Sequence, residues 1–354
     1  MPLPLANFYN TTRAARKVIV VDLGFLGDAV HLVPALWEIK CHYPQAQLHT
    51  LSATVGSEVL KLAPCVNRAW AFPLGPQSPP WWRHWDIIRA LRRERFDLAF
   101  NFSGADRSIF LTALTGAKWR IAHPGGRKHF WNRWLIRDWS TRQSRELPVF
   151  EQRRGLLAEC GFTLAPPKFE LTVPAADRQW AAALVPGGAI HFSINASTPH
   201  KEWPLEHWIG LARELLRARP GARIVASCGP AGRERERLRQ FAAGVNDARL
   251  TLAEAPELAQ LAALLGRCAL HVGADSGVLH LALAVGRPTV AIFRDYAGKA
   301  EWLPQGVGHR HLTAPCPCAL RREPHPDCAV TAACLRQISP AVVAEKIGEL
   351  LPAK

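Results

Sequence analysis

The stretch KVIVVDLGFLGDAVHLV, residues 17–33, decides the fold of this chain. An apolar run over residues 17–21 is followed by a glycine-rich turn and then by a helical pattern, which is the order strand, loop, helix. That order is typical of the start of an α/β domain. Gly24 and Gly27 allow a ligand to approach the backbone closely, and the first turn of the helix offers free N–H groups. We therefore expect a ligand-binding loop at this position.

The same alternation continues along the first half of the chain. Because strands alternate with helical patterns, the sequence predicts a mostly parallel sheet with helices on both faces. Further strands are predicted at residues 47–52, 68–72 and 97–102, with a helix over residues 85–95.

A proline-rich, irregular segment over residues 163–188 marks the predicted domain boundary. Beyond it the alternation restarts, so we expect two Rossmann-like domains that face each other across a cleft. The predicted division is residues 1–170, residues 171–338, and a C-terminal helix within residues 339–354 that packs back on the N-terminal domain. Predicted strands lie at 189–194, 223–227, 270–273 and 289–293, and predicted helices at 205–218, 233–243, 257–265, 278–285 and 339–351.

Length and composition fit an ordinary globular protein of about two domains, because the chain has 354 residues, of which 48% are hydrophobic and 21% charged. The sequence contains no run of about 18 apolar residues, and its N-terminus has no apolar signal core. We therefore expect a cytoplasmic protein. In that compartment nine cysteines predict reduced thiols and not a disulfide framework.

The charge balance predicts an acidic partner or surface, since the net charge is +15 and the pI is near 9.9. Residues 81–145 carry 14 Lys and Arg against 5 Asp and Glu, hence +9, together with seven of the 13 tryptophans. Interleaved Trp and Arg suit nucleotides, phosphorylated sugars or lipid headgroups. A solvated basic face over an aromatic core explains the same pattern equally well.

A second motif, SINASTPHKEWP, occupies residues 193–204 directly after the first predicted strand of the second domain. The hydroxyls of Ser197 and Thr198 and the ammonium of Lys201 suit a diphosphate, because they offer hydrogen bonds and a point charge to its oxygens. The alternative is a capped loop with an exposed lysine.

A third motif, GADSGVLHLA, occupies residues 273–282 where a strand is predicted to end and a helix to begin. Gly277 leaves backbone N–H groups accessible at the helix N-terminus, where the helix dipole favours a phosphate. His280 lies four residues after Ser276, so both side chains can face one ligand. Taken singly each motif has an ordinary explanation: Asp28 suits a helix N-cap, and a helical histidine is usually packed.

Together, the three motifs resemble those of the heptosyltransferase family of glycosyltransferases (family 9), over about residues 17–350. In that family the segments read LGD-x-x-H-x-x-PAL, S-x-x-x-K-x-WP-x-x-H and D-[ST]-G-x-x-H-x-A. The matching residues here are Leu26, Gly27, Asp28, His31 and Pro34 to Leu36, then Ser197, Lys201, Trp203, Pro204 and His207, then Asp275, Ser276, Gly277, His280 and Ala282.

The resemblance implies a B-type glycosyltransferase fold and an inverting transfer of a sugar, heptose from ADP-heptose, to a lipopolysaccharide core acceptor. It implies an N-terminal acceptor domain, a C-terminal donor domain, no cofactor, peripheral contact with the cytoplasmic face of the inner membrane, and no nucleic-acid partner. Asp28 would be the general base. Gly27, His31, Arg127 and Lys128 would face the anionic glycolipid acceptor, whereas Ser197, Thr198, Lys201, Glu234, Asp275, Ser276, Gly277 and His280 would hold the donor.

Two positions depart from the family pattern. The basic residue often found before the first motif is Asp22 here, and a Ser-Ser or similar pair is replaced by Gly24 and Phe25. These departures bear on the identity of the acceptor. The chain contains no Asp-x-Asp, so we expect Lys201 and the helix end after Gly273 to compensate the diphosphate charge instead of a metal ion.

Four cysteines cluster near the C-terminus as C-x-C-x9-C-x5-C, with His325 between them. Four thiols within nineteen residues are candidates for a structural zinc site, although neither spacing is the usual C-x2-C. A structural role without metal is the alternative. The four are Cys316, Cys318, Cys328 and Cys334.

Two other functions are compatible with parts of this pattern. A nucleotide-sugar epimerase of the same fold would bind a nucleotide diphosphate but would need no acceptor surface. A non-catalytic nucleotide- or nucleic-acid-binding protein would use the basic, Trp-rich region. It would not explain an acidic residue framed by glycines beside a phosphate site.

Overall fold

A computed structural model describes residues 5–74, 83–124, 130–141, 144–321, 323–324, 326–328 and 333–351. The chain divides into two compact units, Met1–Thr172 and Val173–Lys354. The division lies two residues beyond the predicted boundary at 170. None of the described helices is long and apolar enough to span a lipid bilayer.

Six described strands of the first unit form a parallel sheet in the order β3-β2-β1-β4-β5-β6. Val18 to Val21 of β1 are fully buried, which explains their unbroken apolar run, because a central parallel strand is covered on both faces. The strands are β1 (Lys17–Asp22), β2 (Gln47–Ala53), β3 (Arg68–Phe72), β4 (Leu98–Asn101), β5 (Trp119–Ala122) and β6 (Asp138–Trp139).

Helices connect these strands and bury their apolar sides against the sheet. The strand order reverses beside β1, which pairs with both β2 and β4. At such a switch point two neighbouring loops diverge, leaving room for a ligand beyond the carboxyl ends of the strands. The helices are α1 (Phe8–Thr12), α2 (Leu26–His42), α3 (Thr54–Leu60), α4 (Trp85–Glu94), α5 (Asp106–Leu114), α6 (Asn132–Leu135) and α7 (Val149–Glu159).

The second unit repeats this topology with the order β12-β11-β10-β7-β8-β9. Its switch point lies between β7 and β10, where Ser193 is the partner of Gly273. The strands are β7 (Ile190–Ser193), β8 (Ile224–Cys228), β9 (Leu250–Glu254), β10 (Leu270–Ala274), β11 (Thr289–Ile292) and β12 (His309–Leu312). The helices are α8 (Ala175–Leu184), α9 (Leu205–Ala218), α10 (Gly232–Val245), α11 (Leu258–Arg267), α12 (Gly277–Ala284), α13 (Ala333–Arg336) and α14 (Pro340–Leu350).

The C-terminal helix α14 packs within the second unit. Val343 and Ile347 are fully buried there in a core shared with Trp203 and Trp208. The expected packing of the helix on the N-terminal domain stays a prediction. The apolar positions of α14 predicted a buried face but carried no information about which domain would cover it.

Candidate functional site

The switch point of the first unit holds Asp28, in the first turn of α2. Its carboxylate accepts a hydrogen bond of 2.9 Å from the Phe25 N–H, which fixes the side chain across the start of the helix. Gly24 makes this position possible, because a Cβ there would lie 2.4 Å from the Asp28 Cβ. The Asp28 side chain keeps 25% of its surface exposed, so a substrate hydroxyl can reach it.

Arg153, from α7, joins this carboxylate to Asp22 at the end of β1. Its guanidinium lies 2.6 Å from an Asp22 oxygen and 3.3 Å from an Asp28 oxygen, and it also donates to the Asp28 carbonyl. Arg153 and Asp22 are almost completely buried. The arginine therefore orients the carboxylate from the protein side and leaves the solvent side of Asp28 free for a substrate.

The pKa of Asp28 is raised above its ordinary value. Burial is the main cause and the neighbouring Asp22 adds to it, whereas Arg153 and the Phe25 N–H oppose it. A carboxylate with a raised pKa is a stronger base than an exposed one. The environment of Asp28 therefore favours proton abstraction.

The predicted acceptor residues fall into two groups. Gly27 is buried inside the first turn of α2, and His31, only 5% exposed, stacks on Phe150 with ring centroids 5.9 Å apart. Their roles toward an acceptor stay predictions. Arg127 and Lys128 lie outside the described residues.

The switch point of the second unit places Lys201 beside Asp275. Lys201 Nζ lies 2.8 Å from an Asp275 oxygen, which also accepts a hydrogen bond of 3.2 Å from the Tyr296 hydroxyl. Burial raises the pKa of Tyr296, so its hydroxyl stays protonated and donates. Since β7 and β10 are paired, the loops that follow them bring Lys201 and Asp275 together although they are far apart in the sequence.

Helix α12 begins at Gly277, two residues after Asp275. No side-chain hydrogen bond caps its N-terminus. Ser276 is the N-cap residue, yet its hydroxyl accepts no hydrogen bond from the first turn, and its buried Oγ has no partner among the described residues. Gly277 opens the helix. Such an N-terminus favours an anion, because its free N–H groups carry partial positive charge.

His280, one turn further along α12, is buried against Trp302 with ring centroids 5.3 Å apart. Burial lowers its pKa to about 4. The negative charge of Asp275 raises this pKa, and the positive charge of Lys201 lowers it further. The imidazole is therefore neutral at pH 7. It adds no charge to the site and can act there only as a hydrogen-bonding group.

Arg294 follows β11 and is 3% exposed. Its Nε and one terminal nitrogen have no hydrogen-bond partner among the described residues, although the guanidinium lies 5.0 Å from the Tyr296 ring centroid. Arg294 and Lys201 both lower the pKa of His200, after the larger effect of burial, which places the two cations near one imidazole. Leaving two nitrogens of a buried guanidinium without hydrogen bonds is costly, so this position favours an anionic ligand.

Asn195 lies in the loop after β7 and is 6% exposed, and neither its amide oxygen nor its amide nitrogen has a partner among the described residues. Ser197 is exposed, and the Thr198 hydroxyl lies 3.4 Å from His200 Nε2. Glu234 accepts a hydrogen bond of 2.7 Å from the Gly229 N–H, which braces the loop after β8. The predicted contact of Glu234 with a nucleoside stays a prediction.

The sequence pattern did not point to Arg153, Arg294, Tyr296 or Asn195 as site residues. Arg294 and Asn195 each lie two residues after the end of a strand, and that position beyond a parallel strand is the signal that points to a ligand. Arg153 had no such signal, because it stands in the middle of α7 and reaches Asp28 through packing of that helix on α2.

Comparison with known proteins places these motifs in context. The model of glycosyltransferase family 9 (heptosyltransferase) matches residues 84–315. The lipopolysaccharide core heptosyltransferase OpsX of Haemophilus influenzae is 22% identical over 284 residues, which is 80% of each chain. Lipopolysaccharide heptosyltransferase 2 of Escherichia coli is 23% identical over 298 residues, or 78% of this chain and 82% of that protein.

Solved structures show a similar fold. E. coli ADP-heptose lipopolysaccharide heptosyltransferase II superposes with a TM-score of 0.75 at 20% identity, covering 95% of this chain and 98% of that one. E. coli heptosyltransferase WaaC with ADP-2-deoxy-2-fluoro heptose superposes with a TM-score of 0.72 at 21% identity, covering 94% of this chain and 99% of that one. The expected fold is therefore confirmed as that of B-type glycosyltransferases.

Proposed function

Because the chain belongs to glycosyltransferase family 9, and is therefore a glycosyltransferase, we propose that it transfers heptose from ADP-heptose to a lipopolysaccharide core acceptor with inversion. A nucleotide-sugar donor and an anionic acceptor both fit the positive net charge of the chain. Because the chain belongs to this family, we do not retain the non-catalytic alternative. The identity of the sugar, of the nucleotide base and of the acceptor position is our proposal.

The observation that carries this proposal is the cationic group at the second switch point. Lys201 and Arg294 supply two positive charges there, against one carboxylate from Asp275. The α12 N-terminus and the hydroxyl of Ser276 add donors without charge. This combination suits a diphosphate, whose oxygens need several donors and about two positive charges.

In the proposed reaction Asp28 removes the proton from an acceptor hydroxyl. The hydroxyl oxygen then forms a bond to the anomeric carbon of the sugar, while the bond from that carbon to the diphosphate oxygen breaks and ADP leaves with the electron pair. Lys201 and Arg294 stabilise the charge that develops on the leaving oxygen. Single displacement from the opposite face inverts the anomeric configuration.

The acceptor is expected to lie at the first unit, where Phe25 stands beside Asp28 with 85% of its surface exposed. An exposed aromatic ring at this place suits the apolar face of a sugar. Basic residues of segment 81–145 would contact acceptor phosphates, with Arg127 and Lys128 as the first candidates.

Peripheral contact with an anionic membrane is part of the proposal. Phe130, Trp131 and Trp134 form one exposed aromatic group around α6, with Phe130 66% and Trp134 80% exposed. Arg133 and Arg137 are exposed on the same short segment. Aromatic rings beside arginines suit the headgroup level of a bilayer that carries negative charge. The enzyme would then work at the cytoplasmic face of the inner membrane, where its acceptor is anchored.

The proposed function is tested by transfer from ADP-heptose to a heptose-deficient core acceptor. We expect ADP release and a product heavier by one heptose only when acceptor is present. An epimerase would convert the donor sugar without any acceptor, and that result would replace the proposal. The same assay with UDP- and GDP-sugars identifies the base.

The anionic acceptor is tested by a salt series. The Debye length shrinks from about 10 Å at 0.1 M to about 3 Å at 1 M salt, so acceptor binding should weaken steeply. ADP binding should weaken less, because part of its charge is met by the buried Arg294 and by backbone N–H groups. The double charge reversal Arg127→Glu with Lys128→Glu should flatten the acceptor slope; equal slopes for ADP and acceptor, unchanged by the reversal, would contradict an electrostatic acceptor face.

A further inference from the structure

Three cysteines of the second unit converge outside the nucleotide site. Cys316 and Cys318 follow β12, and Cys328 belongs to a short helical turn. Their sulfur atoms all lie within 4.8 Å of one another, and Cys316 Sγ is 3.7 Å from Cys328 Sγ. Cys318 and Cys328 are 0% and 2% exposed.

A fourth thiol is not part of the group whose sulfur atoms all lie within 4.8 Å of one another. Cys334, on α13, is fully buried in the same core that Cys316 packs against. Cys316, Cys318 and Cys328 thus come from two separate turns of the chain and converge, and Cys334 lies in the same core.

Four sulfur ligands without an oxygen ligand suit zinc or an iron–sulfur centre. A closed structural site is typical of zinc, which binds thiolates in a tetrahedron at about 2.3 Å. That bond length puts the sulfur atoms about 3.8 Å apart, close to the separation of Cys316 and Cys328. We propose that Cys316, Cys318, Cys328 and Cys334 form a closed structural zinc site.

One route joins this site to the loop that holds Tyr296. The Cys318 carbonyl accepts a hydrogen bond of 2.8 Å from the Arg321 N–H, and the Arg321 carbonyl accepts one of 3.0 Å from the Ala297 N–H. Tyr296, the neighbour of Ala297, donates to Asp275. A metal ion at the thiols would therefore hold the segment that positions Asp275.

A second route joins the site to the segment of Lys201. The chain after Cys334 places the Ile338 carbonyl 3.0 Å from the indole nitrogen of Trp203. Trp203 is fully buried and lies two residues after Lys201. Zinc would thus stabilise both sides of the Lys201–Asp275 pair. This effect on nucleotide binding rests on the proposed function; the presence of the ion does not.

The first test measures the metal content of the full chain by elemental mass spectrometry after purification without chelators. We expect about one zinc ion per chain, lost in Cys318→Ser and in Cys328→Ser. Cys268→Ser is the matched control, because Cys268 is also buried in the second unit but stands outside the cluster. Zinc retained by the cluster variants, or lost by the control, would overturn the site.

A second test does not depend on variants that fold. A mercurial reagent added to the folded wild-type chain should release zinc to a chromogenic indicator as the cluster thiols react. Cobalt loaded in place of zinc should show the absorption of tetrahedral thiolate coordination. Bound iron in place of zinc would overturn the zinc assignment. A disulfide between cluster cysteines, detected by peptide mass mapping, would overturn it as well.

A third measurement separates the ion from its effect. Metal-free and zinc-loaded chains are compared in thermal unfolding and in ADP affinity. We expect removal of zinc to lower both. A bound ion without any change in ADP affinity would contradict the two routes but keep the site, whereas a wild-type chain that binds zinc but no ADP would contradict the proposed function alone.

Discussion

The two Rossmann-like units have the same strand order and place their polar residues at the same point, yet these residues have opposite chemistry. The first switch point holds two carboxylates, Asp22 and Asp28, around one arginine. The second holds Lys201 paired with Asp275, and Arg294 beside Tyr296, which donates to the same carboxylate. The common scaffold determines where a ligand is bound, and the side chains determine whether a proton is removed or a phosphate is held.

The helix N-termini show this difference most directly. In α2 the carboxylate of Asp28 lies at the first turn and accepts a hydrogen bond from the Phe25 N–H. In α12 Ser276 does not cap its helix, which leaves the free N–H groups to a ligand. A negatively charged donor is therefore disfavoured at the first site and favoured at the second.

The largest expected effect is on turnover in Asp28→Asn. We expect the transfer rate to fall by about 10²- to 10⁴-fold, because a general base is lost. Asparagine still accepts the Phe25 N–H. Because the pKa of Asp28 is raised in the folded chain, this carboxyl stabilises the fold at low pH, and that stabilisation is lost as the pH rises through the raised pKa. The neutral asparagine should therefore not lower the free energy of unfolding at pH 7. Single-turnover assays and denaturant unfolding check both parts; a well-folded variant with full activity would refute the role.

The next effect is on ADP affinity in Lys201→Ala. Loss of a charge-assisted contact is worth about 1.5 to 3 kcal/mol, or roughly 10- to 150-fold in the dissociation constant. Lys346→Ala is the matched control, because its side chain is 28% exposed against 27% for Lys201 and is also paired with carboxylates. Equal affinity of the two variants in calorimetry would make Lys201 an ordinary surface residue.

A smaller effect is expected in Gly24→Ala. The added methyl would meet Asp28 at 2.4 Å, so the carboxylate must move from its place over α2. We expect about 1 to 3 kcal/mol of lost stability together with slower transfer. Gly187→Ala, where an added Cβ meets nothing within 4 Å, is the control. Unchanged stability and turnover in both variants would show that Asp28 does not need this close approach.

The smallest effect is a shift of the pH profile in Asp22→Asn. Transfer needs the deprotonated base, so the rate should fall as the pH drops through the raised pKa of Asp28. Removing the charge of Asp22 should lower that pKa and move the acid limb to lower pH. An acid limb that stays in place, or moves to higher pH, would contradict the coupling of the two carboxylates.

Periodicity predicted the central strands of both units, helices α2 and α4 of the first unit and most helices of the second, because a buried parallel strand requires an apolar run and a covering helix requires an apolar face. Strands β5, β6, β9 and β12 and helices α3, α5 and α7 were missed; each of the four strands has at most five residues, which is too short for a clear periodic signal. Asp28, Lys201 and Asp275 stand in local motifs and could be named. Arg153 and Tyr296 reach the sites only through tertiary packing, which residue spacing does not encode.

The division of work between the two units is tested most directly by ADP calorimetry on four variants measured side by side. Asp28→Asn and Asp22→Asn change the first switch point, and Lys201→Ala and Arg294→Gln change the second. We predict that the two first-unit variants bind ADP like the wild-type chain, whereas each second-unit variant binds it about tenfold or more weakly. A loss of ADP affinity in Asp28→Asn as large as that in Lys201→Ala would contradict the assignment of base and phosphate site to separate units.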